Sequence, residues 1–223
     1  MTATLLLARH GQTVWHAENR YAGVSDIGLT DEGRRQAAQL GDWAARHPVD
    51  AIWTSTLSRA IETADPACRA LGLVPHCEHE LRECDFGVLE GRTLAEFEAE
   101  RPDAAQAFRA DPVANPFPDA EDPRAAAVRG SDALRRIARA HEGQRVLVVA
   151  HNTLLRLVLC ELLSVPLENY RRVFPRLHNT AVSELRFSDD GRQAALLSLN
   201  LPCAQEPSPP PVPSHGSSAG RNR

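Results

Sequence analysis

The sequence contains no lysine. All 25 of its basic residues are arginine, set against 29 aspartates and glutamates, for a formal charge of −4. With a pI of about 6.1, this balance argues against a nucleic-acid partner or a polybasic membrane surface, both of which need clustered positive charge. An all-arginine complement fits a GC-rich coding sequence. It also suits recognition of phosphate or carboxylate, whose oxygens match the guanidinium fork. No C-x-x-C spacing occurs among Cys68, Cys77, Cys84, Cys160 and Cys203. An odd number of cysteines without that spacing reads as reduced thiols in a cytoplasmic protein. No apolar run reaches the roughly 18 residues of a membrane span. No basic segment followed by an apolar one opens the chain, so a soluble, unexported protein without a membrane partner is expected. Internal repeats are absent as well.

What is present is an alternation of short buried strands and helices. At 223 residues the chain can bury a full core without disulfide staples. Ala3–Ala8 is continuously apolar, as a strand covered on both faces is. Thr30 caps a helix expected to reach Arg46, where His47-Pro48 ends it, and Asp31 and Glu32 favour its positive end. Asp50–Thr54 is a second buried strand. The helical pattern after it carries Pro66, which predicts a kink or break. Gln144–His151 is the clearest strand, and an apolar helix over Thr153–Leu163 follows it. Two segments joined by Asp189-Asp190-Gly191 read as a hairpin closing one side of the sheet. Such alternation predicts an α/β fold with a mostly parallel sheet. Between Glu83 and Arg129 the texture changes to a proline-containing insertion with one helical pattern near Leu94–Glu100. An insertion of that length reads as a lid or substrate-recognition element. Asp122-Pro123 starts the next helix, to about His141. The domain is expected over 1–201, with a disordered Pro- and Ser-rich tail over 202–223.

Two of the buried strands end on residues that a core does not want. "LLLARHGQTVWH" stops at Arg9 and His10, and "RVLVVAH" stops at His151. Ligands of parallel sheets bind beyond the carboxyl ends of strands. Arg59 begins the helix after the second strand, and Glu83 stands where the insertion leaves the sheet. Two arginines, two histidines and a carboxylate at one pole make a site for a phosphoryl group. Arginine forks hold its oxygens, and a neutral imidazole attacks phosphorus once its other ring nitrogen is held by an acceptor. A protonated second imidazole can neutralise charge on the transferring oxygens, and a carboxyl can protonate the leaving alkoxide.

Four motifs carry a resemblance to a known family. "ARHGQTVWHAENRYAGVSDIGLTDEGRRQA", "TSTLSRAIETA", "LRECDFGVLEGRT" and "VVAHNTLLR" resemble, in order and spacing, the signatures of the histidine phosphatase superfamily, the phosphoglycerate mutase-like proteins. The resemblance covers residues 4 to 188. It implies a three-layer α/β/α sandwich, with His10 as the phosphorylated nucleophile and Glu83 as the proton donor. It places Arg9, His16, Gly23, Arg59, His151 and Asn152 around the phosphate, and it implies no metal and no organic cofactor. His16 stands where the family usually has Asn, and Asn152 where it usually has Gly. Imidazole keeps one hydrogen bond and adds a pH dependence, or it simply replaces Asn without consequence. A backbone contact at Asn152 requires a conformation that Asn tolerates better than most residues.

The insertion lacks the Trp-bearing signature of the glycolytic mutases, which favours hydrolysis of a small phosphorylated metabolite over phosphoryl transfer to a second substrate. Its "PDAEDP" segment places Asp119, Glu121 and Asp122 near the pocket, where they would repel a second anion and favour a neutral or cationic leaving group. Asp122 alternatively serves only to cap the next helix. Two rivals remain. One is a metal-dependent hydrolase using His10, His16 and His151, although no H-x-H or H-E-x-x-H spacing supports it. The other is a non-catalytic protein that binds a phosphorylated ligand. "PSPPPVP" could offer a partner a polyproline segment, or be an unconstrained extension.

Overall fold

The computed structural model describes residues 2–203. In chain order the elements are β1 (Thr4–Arg9), α1 (Val14–Ala17), α2 (Asp31–Arg46), β2 (Ala51–Ser55) and α3 (Ser58–Leu71). There follow β3 (His76–Glu78), α4 (Leu94–Glu100), α5 (Pro102–Ala110), α6 (Pro123–Ala140), β4 (Arg145–Ala150) and α7 (Asn152–Leu162). The last three are α8 (Tyr170–Val173), β5 (Val182–Phe187) and β6 (Ala194–Leu201).

The strands are apolar at consecutive positions because both faces of the sheet are covered. Side chains alternate across a strand. Leu5 and Leu7 therefore join one buried cluster with Leu134, Ile137, Leu154 and Val158 of α6 and α7. Leu6 and Ala8 join another with Leu40 and Ala44 of α2 and Ala60 and Ala64 of α3. Strand β4 divides in the same way, Val146 and Val148 to the first cluster and Leu147 and Val149 to the second. Each fully buried Leu or Val contributes roughly 1.5–3 kcal/mol, so the strand ends are anchored firmly. The fold is a three-layer α/β/α sandwich around a six-stranded sheet of order β3-β2-β4-β1-β5-β6. Neighbours pair in parallel from β3 through β1, and β5 and β6 close the edge as an antiparallel hairpin.

Helix boundaries follow their caps. Thr30 accepts the Gly33 N–H at 3.0 Å, and Asp122 accepts the Arg124 N–H at 2.9 Å with Pro123 in the first turn. Of the kink or break expected at Pro66, the break does not occur, and α3 runs on from Ser58 to Leu71. A Cβ on Gly41 of α2 would lie 2.8 Å from the Pro66 Cβ, so the two helices touch closely there, and packing outweighs the missing backbone bond. Short strand β3 and helix α5 were not anticipated. Phe97, Phe108 and Phe117 of the insertion bury with Leu89 and Ala105 in a small core of their own. Cys203, placed by expectation in the tail, is buried with its thiol donating to the Thr180 carbonyl; residues 204–223, the rest of the expected tail, lie outside the described residues. All five cysteines are unpaired thiols. Among the described residues no helix is long and apolar enough to cross a membrane.

Candidate active site

Register brings the two histidines together. In the parallel pair of β1 and β4, Arg9 stands opposite Ala150, so the next residues, His10 and His151, leave the sheet side by side. Their ring centroids are 5.1 Å apart. Strand β2 lies on the far side of β4, with Thr54 opposite Val149, and this carries Ser55 to the same pole.

His10 is buried, and its Nδ1 lies 2.7 Å from the Gly11 carbonyl oxygen. A carbonyl only accepts, so Nδ1 carries the proton and Nε2 keeps its lone pair. The His10 carbonyl accepts from Asn179 Nδ2 at 2.7 Å, and the Gly11 N–H donates to Thr63 Oγ1 at 2.9 Å. Burial, then the charges of Arg59 and Arg9, hold His10 well below the usual histidine range, against the opposing hydrogen bond to Gly11. Close packing requires glycine at position 11, where a Cβ would meet the Gly33 carbonyl oxygen at 2.6 Å.

His151 is fully buried, with Nε2 2.7 Å from Ser55 Oγ and Nδ1 without a partner among the described residues. Ser55 Oγ accepts the Leu57 N–H at 3.1 Å. A hydroxyl both donates and accepts, so His151 Nε2 can either accept from Ser55 Oγ or donate to it; when it accepts, the His151 proton stands on Nδ1. Burial, followed by Arg59, depresses the basicity of His151 as well.

Glu83 is buried at the start of α7. Its Oε1 accepts the N–H groups of Cys84 (3.0 Å) and Leu154 (2.8 Å), and its Oε2 accepts that of Thr153 (2.9 Å). A helix N-terminus is a natural seat for a carboxylate. Arg59 has no exposed surface. Its terminal nitrogens donate to the carbonyls of Ser25 (2.8 Å), Gly23 (2.6 Å) and Ala22 (3.3 Å), while its Nε is buried and unpartnered. Arg9 donates to the Leu177 carbonyl at 2.9 Å, and its Nε is likewise unpartnered. Burial lowers the Arg9 pKa to about 10, with the attraction of Glu83 opposing. Asn152 begins α7, its side-chain oxygen is buried without a donor, and it does not need positive φ.

Arg9, His10, Glu83 and Asn152, with His16 and Thr153, line one cavity of about 340 Å³, whereas the fully buried His151 and Arg59 stand behind its wall and do not line it. Gly23 is not available as a phosphate donor here. Its N–H donates to Glu90 at 3.0 and 3.2 Å, and a Cβ on it would lie 2.1 Å from Glu90 Oε1, so Glu90 explains the glycine. Glu90 also accepts from the N–H groups of Val24, Ser25 and Phe86 and from the Ser25 hydroxyl. The acidic segment falls elsewhere as well. Glu121 pairs with Arg129 at 2.6 Å and Asp122 caps α6, and neither they nor Asp119 line the cavity. The expected repulsion of a second anion is therefore absent. The insertion gives the wall Glu83, Phe86 and Leu94, and the rest comes from the loop after β1 and from residues around α7 and α8. Ser55, Thr63, Glu90 and Asn179 were not singled out from the sequence; only Ser55, one residue beyond an expected strand end, carried a signal.

His16 sits on the cavity wall, both ring nitrogens 3.5 Å from Arg9 Nη2, too long for strong hydrogen bonds. Burial first, then Arg9 and Arg176, lower its pKa to about 4. A histidine depressed from 6.5 to about 4 binds fewer protons folded than unfolded in that window. Its stabilising share is complete above pH 6.5 and is lost as the pH falls towards 4. His10 and His151 act in the same sense. The stability of His16→Asn should therefore fall less steeply with acidification than that of the parent, by up to about one bound proton. Parallel melting-temperature curves for the two between pH 6.5 and 4 would refute this.

The model of the histidine phosphatase superfamily (branch 1) matches residues 5–200. A related protein, the probable phosphoglycerate mutase GpmB of Citrobacter koseri, is 32% identical over 183 residues, spanning 82% of this chain and 84% of its own. Among solved structures, YhfR of Bacillus stearothermophilus superposes with a TM-score of 0.83 at 30% identity, over 89% of this chain and 97% of its own. A mycobacterial glucosyl-3-phosphoglycerate phosphatase superposes at 0.79 with 26% identity, over 90% and 100%.

Proposed function

The chain belongs to the histidine phosphatase superfamily, and from that premise we propose that it is a phosphomonoesterase. It hydrolyses a small phosphorylated metabolite through a phosphohistidine on His10, without a metal or organic cofactor, in a cytoplasm that suits its five unpaired thiols. The observation that carries this is the His10 ring: Nδ1 is tied to Gly11, and Nε2 is left as a lone pair in a ring that stands beside His151.

In the first step Nε2 attacks phosphorus and the bond from phosphorus to the ester oxygen breaks. Glu83 gives its proton to that oxygen through Oε2, the carboxyl atom with the single N–H donor. The transferring oxygens are met by the otherwise unpartnered Nε groups of Arg9 and Arg59 and by His151 Nδ1. In the second step water attacks phosphorus, the P–N bond breaks, Glu83 takes the proton from water and His10 returns to its neutral form. Asn152 and His16 complete the wall on the phosphate side.

The relatives bear both mutase and phosphatase names, so the acceptor of the phosphoryl group is the point to test. The metal-dependent rival finds no support in the donor set: among the described residues no group of three or more His, Cys, Asp and Glu is arranged to hold an ion. In a screen of phosphorylated metabolites in excess EDTA, inorganic phosphate should appear in step with loss of ester. His10→Ala should abolish both the release and the acid-labile phosphoenzyme. Phosphate delivered to a second substrate molecule rather than to water would assign a mutase. Activity that needs Zn²⁺ or Mn²⁺ would assign the metal mechanism, and a fully active His10→Ala would remove the nucleophile.

A further inference from the structure

The cavity around His10 holds more positive charge than one phosphoryl group requires. Arg9, Arg20, Arg156, Arg171 and Arg176 all line it, and its sole carboxylate is Glu83, whose oxygens already accept three backbone N–H bonds. Arg20 is neutralised by Glu18 at 2.6 Å and Glu96 at 2.9 Å, so it serves as wall. Arg9 belongs with the phosphate groups. Three arginines are left over.

Their protein partners are all uncharged. Arg156 stands one turn beyond Asn152 on α7, and so on the same side of that helix. Its Nε donates to the Phe174 carbonyl at 2.5 Å, and its guanidinium carbon lies 4.9 Å from the centre of the Tyr170 ring. Arg171 donates from Nε to the Tyr170 hydroxyl at 3.0 Å and from Nη2 to the Tyr21 hydroxyl at 3.3 Å. Its guanidinium carbon is 4.6 Å from the Phe108 ring centre and 5.6 Å from that of Tyr170. Two guanidinium groups thus share one aromatic ring, each oriented by Nε and stacking, and among the described residues neither pairs with a carboxylate. Arg176 is exposed at the rim, with no hydrogen bond from its side chain among the described residues. Like charges so placed raise each other's energy, and an arriving anion relieves that cost without reorganising the site.

We propose that Arg156 and Arg171, with Arg176 at the rim, form a second anion subsite that selects substrates bearing a carboxylate or a second phosphate besides the phosphoryl group transferred. This subsite deepens the phosphatase reading and rests on it for the orientation of the substrate.

Three esters of one chain length test it: propyl phosphate, 3-phosphonooxypropanoate and propane-1,3-diyl bisphosphate. The wild-type protein should favour one or both of the doubly anionic esters in kcat/KM by about 10- to 100-fold, the worth of one charge-assisted pair. That ratio should collapse towards unity in Arg171→Met and shrink in the exposed variant Arg176→Ala, which spares the buried contacts of Arg156. A higher rate for the carboxylate identifies it as the second anion; a higher rate for the bisphosphate identifies phosphate. Calorimetric titration with 3-phosphonopropanoate and with propylphosphonate, neither of which can be hydrolysed, reads the same preference as a ratio of Kd values. Turnover of all three esters at similar kcat/KM overturns the subsite and leaves the phosphatase reading standing. Binding that prefers 3-phosphonopropanoate, with no phosphate released from any ester, upholds the subsite and overturns the phosphatase reading. Equal binding of the two phosphonates overturns the subsite whether or not turnover is seen.

Discussion

Glu83→Gln is expected to lower kcat/KM on alkyl phosphates by roughly 10²–10⁴-fold, the usual worth of a positioned general acid, and to lose far less kcat/KM on p-nitrophenyl phosphate. The difference follows from the leaving groups. An alkoxide needs a proton as the P–O bond breaks, whereas p-nitrophenolate departs unaided. In the variant the amide oxygen can keep the N–H bonds of Cys84 and Leu154. The amide nitrogen then faces the Thr153 N–H as donor against donor. That clash costs about 1–3 kcal/mol of stability, so melting temperatures must accompany the kinetics. A drop of equal size in kcat/KM on both substrates would mean that Glu83 shapes the start of α7 and gives no proton to the leaving group. Dependence of the loss on leaving-group pKa would mark proton donation, because a purely structural defect does not sense the leaving group.

The poles of the sheet were readable because buried strands rarely end on Arg-His or His without cause. Both runs were long enough to show that they were covered on two faces. Their adjacency rests on strand order, since β4 inserts between β1 and β2, and no local pattern announces that. Ser55 and Asn179 are set by the same topology, one from the neighbouring strand and one from the approach to β5, far along the chain from the histidines they hold. The acidic segment was misplaced for a related reason. Composition put Asp119, Glu121 and Asp122 in the insertion, but only the fold shows Glu121 turned towards Arg129 on α6. The arginines that do line the cavity besides Arg9 were passed over in the sequence: Arg156 lies within an apolar helix, Arg171 in the four-residue helix α8 and Arg176 just beyond it. Helix α5 was hidden by the prolines on either side of it, although Pro102 suits its first turn.

Arg59 carries the other large expected effect. It is a fully buried cation whose partners are three carbonyls of one loop, Ala22, Gly23 and Ser25. From the other side Glu90 gathers the N–H groups of Gly23, Val24 and Ser25. The loop is therefore clamped between a guanidinium that takes its carbonyls and a carboxylate that takes its amides. Arg59→Ala should destabilise the protein by roughly 3–4 kcal/mol, because buried carbonyls lose their donor and a cavity opens. Arg59→Lys keeps the charge but loses the planar fork, so it cannot hold the carbonyls and still point an N–H at a phosphate. Chemical denaturation separates the two roles from each other. Glu90→Gln should loosen the same loop while leaving the Arg59 Nε in place, so its folded fraction should bind vanadate nearly as tightly as the parent. Arg59→Lys should bind vanadate at least tenfold more weakly even where it is fully folded, as expected for a lost charge-assisted hydrogen bond. Equal vanadate affinities in folded Arg59→Lys and Glu90→Gln would reduce Arg59 to a clamp for the loop, and the phosphate would then be held by Arg9 and the histidines alone.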